Sequence, residues 1–130
     1  KCLGAGRCIG IHIDNEEGNL IVGSWGAVME GWGTPELKGS LKSINIHTKE
    51  IKNLGKKPIG NLDGIEPDGK GAYYVTDWTG AKLYNIKKNG RFKVIAEVGK
   101  GAADHEVILD KNLIIIPIMA EGKVIALKVK

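Results

Sequence analysis

Asp63, Asp104 and His105 are the residues of this sequence whose types and setting come nearest to chemistry. Asp63 precedes a glycine, and Asp104 follows it by 41 residues with a histidine next in line. A carboxylate offers hard oxygen to a divalent cation such as calcium, which gathers about six to eight oxygen ligands. The competing role is a turn aspartate whose oxygens bond the nearby backbone ahead of a glycine. A histidine beside an aspartate can bind metal or move protons near neutral pH. Neighbours on a strand point to opposite faces, so Asp104 rather than His105 is expected to share a side with Asp63. His12, two residues after Gly10, is expected at that same rim or in the packing behind it.

Two tryptophans mark a different candidate. Trp25 follows Ser24 and Trp78 follows Asp77, each pair closing a β-rich run. An indole beside a carboxylate can bind carbohydrate, the ring stacking on the sugar and the acid accepting from its hydroxyls. Recurrence at equivalent places favours the other reading, an aromatic wedge between repeated units. Trp32, with Met29 and Pro35, lies in a glycine-rich insertion over 27–38. Such a loop can form a binding lip, or cover an edge of the fold.

The elements that must carry these residues repeat three times. The segments 9–14, 63–68 and 104–109 each lead through a short polar turn into a β-rich run, at 19–25, 72–78 and 112–117. A glycine-marked turn then opens a third strand, at 39–44, 80–86 and 122–127. A fourth follows in the first two copies, near 50–54 and 92–98. Gly64 and His105 occupy matching positions 41 residues apart, and Gly10 precedes Gly64 by 54, the excess lying in the insertion. Nineteen glycines in 130 residues suit short strands and turns rather than helices. The alternation of Lys82, Leu83, Tyr84, Asn85 and Ile86 marks a strand with one buried face. The unbroken run Leu113, Ile114, Ile115, Ile116 predicts a strand covered on both sides.

A four-stranded unit of about 40–50 residues is the period of a propeller blade. The fold class expected is therefore all-β: three blades of four-stranded antiparallel sheet, at about 8–58, 59–100 and 101–130, the last lacking its outer strand. Three blades do not close a ring, since propellers hold about four to eight. Closure calls for a second copy of the chain about a twofold axis, or for an N-terminal half lying upstream. The chain begins with Lys1 rather than Met, as a processed product or part of a longer polypeptide would.

Several function classes find no support. The net charge of +4 is spread along the chain without a dense basic block interleaved with aromatics, which argues against nucleic-acid partners. No apolar run approaches the ~18 residues of a membrane-spanning helix. The sequence holds no nucleophile elbow, phosphate-cradling glycine loop or His-Glu-x-x-His motif. Cys2 and Cys8 either close a small disulfide loop in an oxidising compartment or stand as two thiols. The expectation leans to a periplasmic or secreted protein.

The stretch Gly60-Asn61-Leu62-Asp63-Gly64-Ile65-Glu66-Pro67-Asp68-Gly69, running into Tyr74-Val75-Thr76-Asp77-Trp78, resembles a blade of the gluconolactonase, senescence-marker-protein and luciferin-regenerating-enzyme family. Residues 102–127 resemble that family's C-terminal blade. The resemblance implies the second half of a six-bladed propeller with a divalent metal, often calcium, at a central tunnel. It also implies opening of sugar lactones by metal-activated water. Asp63-Gly64 matches one ligand motif of the family; Ile9 stands where an asparagine ligand is expected, and a first-blade glutamate lies outside this chain. Two functions follow as expectations. The first is a binding scaffold for a small molecule or protein with a degenerate metal site at Asp63 and Asp104. The alternative is a metal-dependent lactonase.

Overall fold

The computed structural model describes residues 7–14, 18–27 and 37–130. The first sheet holds β1 (Arg7–Asp14), β2 (Asn19–Ala27), the two-residue β3 (Leu37–Lys38), β4 (Leu41–Asn45) and β5 (Ile51–Leu54). Its order is β1-β2-β4-β5, with β3 pairing the end of β2. The second sheet runs β6 (Leu62–Pro67), β7 (Ala72–Asp77), β8 (Lys82–Lys87) and β9 (Phe92–Glu97) in chain order. The third has three strands, β10 (Glu106–Ile108), β11 (Leu113–Ile118) and β12 (Lys123–Lys128). Every pairing is antiparallel, so the chain is all-β and consists of three meandering sheets of about four strands each.

The expected strands fall within about two residues of the observed ones in the first two sheets. The third differs at its start. Leu109–Lys111 forms a single turn of 3-10 helix, with Asn112 left-handed behind it, so β10 keeps only three residues. Asp104 and His105 therefore lie on the approach to β10 rather than within it. The short β3 was not foreseen; two residues carry too little periodicity to announce a strand.

Alternation on the middle sheet explains the core. Tyr73 and Val75 of β7, with Tyr84 and Ile86 of β8, face the first sheet and pack with its Ile21 and Leu41. Leu83 and Tyr74 face the other way, onto Ile114, Ile116 and Ile118 of the third sheet. The middle sheet is thus buried on both faces. The run in β11 is not. Ile114, Ile116 and Ile118 are fully buried, while Leu113, Ile115 and Pro117 between them are only half-buried. Contrary to the sequence expectation, one face of this strand is covered and the other is uncovered among the described residues.

The first strands of the three sheets lie side by side, β1 against β6 and β6 against β10. Glycine sets how closely they approach. A methyl group on Gly10 would sit 1.9 Å from the carbonyl oxygen of Asp63. One on Gly64 would sit 2.7 Å from the Cα of Asp104 and 2.6 Å from Nδ1 of His105. Polar ties reinforce both junctions. Asn61 Nδ2 donates to the Trp25 carbonyl at 2.7 Å. The buried Thr76 hydroxyl accepts from the Gly64 N–H at 2.8 Å and donates to the Ala103 carbonyl at 2.9 Å.

Candidate functional site

Where β6 meets the approach to β10, four carboxylates share a neighbourhood: Asp63, Glu66, Asp104 and Glu106. Burial, and then the charge of Asp104, push the half-buried Asp63 carboxyl up to about 6. Glu66 is also pushed up, by burial first and then by Glu106 and Asp104. Among the described residues no cation enters either balance, so this cluster repels further negative charge and attracts positive charge. The sequence reading picked Asp63 and Asp104 and missed Glu66 and Glu106. The recurring acid two or three residues after each of those aspartates was the available signal.

Asp104 is exposed while His105 is buried, which puts the two on opposite sides as expected. Both ring nitrogens of His105 lack a hydrogen-bond partner, and burial pulls the imidazole down to about 4 against the opposing pull of Asp104. The ring is neutral at pH 7 and packs back onto Gly64. Gly64 faces forward to the third sheet and His105 faces back to the second. The two positions matched by spacing thus play different parts.

His12, half-buried on β1, tilts against Tyr73 with ring centroids 5.8 Å apart, which places it between the first and second sheets. Trp25 and Trp78 contact one another across the same junction, 5.7 Å apart at 56°. Asp77 is buried, and its oxygens serve the fold. Oδ1 accepts from the backbone N–H groups of Asn61 and Gly80, both at 3.0 Å, and Oδ2 accepts from the Tyr84 hydroxyl at 3.3 Å. Trp78 is therefore paired with a ring and Asp77 with donors, the arrangement of a wedge between repeated units. Trp32 lies outside the described residues, as do Cys2, Met29 and Pro35.

Asp63 and Asp104 offer oxygen ligands to a hard cation. Among the described residues, however, no three His, Cys, Asp or Glu side chains converge on one point. Two carboxylates supply part of calcium's usual shell of about six to eight oxygens, which backbone carbonyls and water also fill.

The two shifted groups act oppositely on stability. Folded Asp63 takes its proton near 6 rather than 3.8, so acidification across that window adds stability. Folded His105 takes its proton near 4 rather than 6.5, so acidification across almost the same window removes stability. Asp63→Asn leaves the histidine contribution alone. Urea midpoints at about pH 7, 5.5 and 4 are expected to fall further for the variant than for the parent. Parallel curves would contradict the opposing roles.

The geometry defines a class: an all-β chain of repeated antiparallel sheets whose first strands pack side by side and gather acid where the second meets the third. No family model matches the sequence, and no curated protein is similar to it. A chain of the solved structure titled "Crystal structure of Nidogen/Laminin Complex" is similar in fold, with a TM-score of 0.62 at 14% identity. The match covers 86% of this chain and 40% of that one.

Proposed function

We propose that the chain forms three neighbouring blades of a gluconolactonase-like propeller and works as a binding scaffold whose ligand face is the acidic rim of the inner strands. The observation that carries this is the repeated glycine contact, Gly10 on Asp63 and Gly64 on Asp104. It brings successive inner strands together at the same place in each sheet. Further out the sheets splay, leaving a cleft of about 370 Å³ beside Ser43 and Lys52 and another of about 430 Å³ beside Lys93. First strands in contact with clefts further out support the reading of the sheets as wedges around an axis.

The end sheets support closure by a second copy. The far face of the third sheet presents Leu113, Ile115, Pro117 and Val124, the last 66% exposed. The far face of the first sheet presents Ile11, Leu20 and Ile44, with Ile11 62% exposed. Seating one on the other at both junctions makes six sheets from two chains. The chain of similar fold comes from a complex of two proteins, in keeping with a binding role.

The Asp63–Asp104 pair favours a second reading, a metal-dependent lactonase in which those carboxylates hold a cation and a second chain supplies the remaining ligands. Hydrolysis of glucono-δ-lactone with added calcium separates the two. The scaffold reading expects the spontaneous rate, unchanged in Asp63→Asn. Turnover above that rate that disappears in the variant would overturn it.

A further inference from the structure

We infer that Asn89 and Gly90, at the tip of the β8–β9 hairpin, form a self-modifying site. The asparagine cyclises onto the glycine nitrogen and reopens as isoaspartate, which lifts the hairpin off the first sheet. Asn89 is the one asparagine followed by glycine; every other precedes leucine, isoleucine or glutamate. Ring closure brings the following backbone nitrogen against the side-chain carbonyl carbon, and a glycine there puts no side chain in the way. Asn89 is exposed, and Gly90 is left-handed at φ 77°.

The turn supplies the other parts of the chemistry. The Arg91 N–H donates to Asn89 Oδ1 at 3.0 Å, at the oxygen where negative charge builds as the carbonyl carbon is attacked. Lys87, Lys88 and Arg91 flank the pair in sequence, and positive charge favours an anionic amide nitrogen. The Gly90 N–H donates to the Lys87 carbonyl at 2.7 Å, so reaction waits on local opening of the tip, a low-cost event at an exposed turn. The Gly90 nitrogen then gives its proton to water and bonds to Asn89 Cγ, while the side-chain nitrogen takes a proton and leaves as ammonia. Water next adds to the main-chain carbonyl carbon of the cyclic imide, and that carbon's bond to the Gly90 nitrogen breaks. The chain now runs through Cβ and Cγ of the former asparagine, one carbon longer.

That carbon has no room. A methyl on Gly90 would sit 2.1 Å from the Gly55 Cα and 2.2 Å from the Gly55 nitrogen, so the tip rests backbone on backbone just past β5. Leu54 and Lys88 line the same cleft between the two sheets. The two Asp-Gly pairs, which could form the same imide, are held more firmly. Gly64 is buried with its N–H on the Thr76 hydroxyl. Asp68 accepts from the backbone N–H groups of Lys70 and Ala72 and from Asn85 Nδ2.

The test ages the intact folded chain for weeks at neutral pH and body temperature, then maps the chymotryptic peptide 85–92 by electron-transfer mass spectrometry. Asn89 is expected to convert at least about tenfold faster than any other asparagine, with isoaspartate among the products. Amide hydrogen exchange of the aged chain is expected to show protection lost in β5 and at the tip, with β6 and β7 unchanged. Asn89→Gln, whose larger ring closes slowly, is expected to keep both the peptide and the protection. Conversion in urea but not in the folded chain, conversion spread evenly over the asparagines, or an isoaspartyl hairpin with β5 still protected would each overturn the inference.

Discussion

Gly64→Ala is expected to destabilise the chain by about 2–3 kcal/mol, the cost of forcing an extra group into a closed contact. Its methyl would meet the Cα of Asp104 at 2.7 Å. That neighbour is backbone, so relief requires the second and third sheets to part rather than one side chain to turn. Gly10→Ala makes the same demand at the other junction, against the Asp63 carbonyl. Gly122 supplies the control. A methyl there meets nothing within 4 Å, and only its left-handed backbone, at φ 59°, is disturbed. That costs about 1 kcal/mol. Denaturant unfolding of the three variants measures the difference. Equal losses at Gly64 and Gly122 would mean that the inner strands are not in close contact.

Thr76→Val is expected to cost about 2–4 kcal/mol although it preserves shape. The hydroxyl is fully buried and serves two backbone groups at once, accepting from Gly64 and donating to Ala103. Valine leaves both unpaired, and each buried orphan costs about 1–3 kcal/mol. Thr76→Ser keeps the bonds and loses one methyl, at about 1 kcal/mol. Thermal or urea unfolding should therefore rank the parent first, serine next and valine last. If valine matches serine, the hydroxyl does not join the second sheet to the third.

Strand positions were legible because alternation and glycine-marked turns are local. Ala72 to Asp77 carries its own period, and the turn around Gly90 needs nothing distant to form. What faces what was less legible. The apolar run in β11 announced burial on both faces, yet coverage depends on a neighbour that periodicity does not encode. Matching Gly64 with His105 was sound by spacing. The approach to β10 nevertheless turns the histidine back toward the second sheet, and a bulge between Leu62 and Ile65 shifts the first strand against its partner. The rim was half legible. Asp63 stood out through its glycine, whereas Glu66 and Glu106 gain meaning only once β6 and β10 are neighbours. Asp77 and Trp78 show the reverse: a pair that looks like a sugar platform in sequence is consumed by Asn61, Gly80, Tyr84 and Trp25 in the fold.

The mass of the folded chain in solution, by light scattering, bears most directly on the wedge-and-ring account. A monodisperse particle of twice the chain mass is expected, reverting to a single chain in Val124→Asp, which places a charge on the far face of the third sheet. A compact, cooperatively unfolding single chain for the parent would contradict closure by two copies.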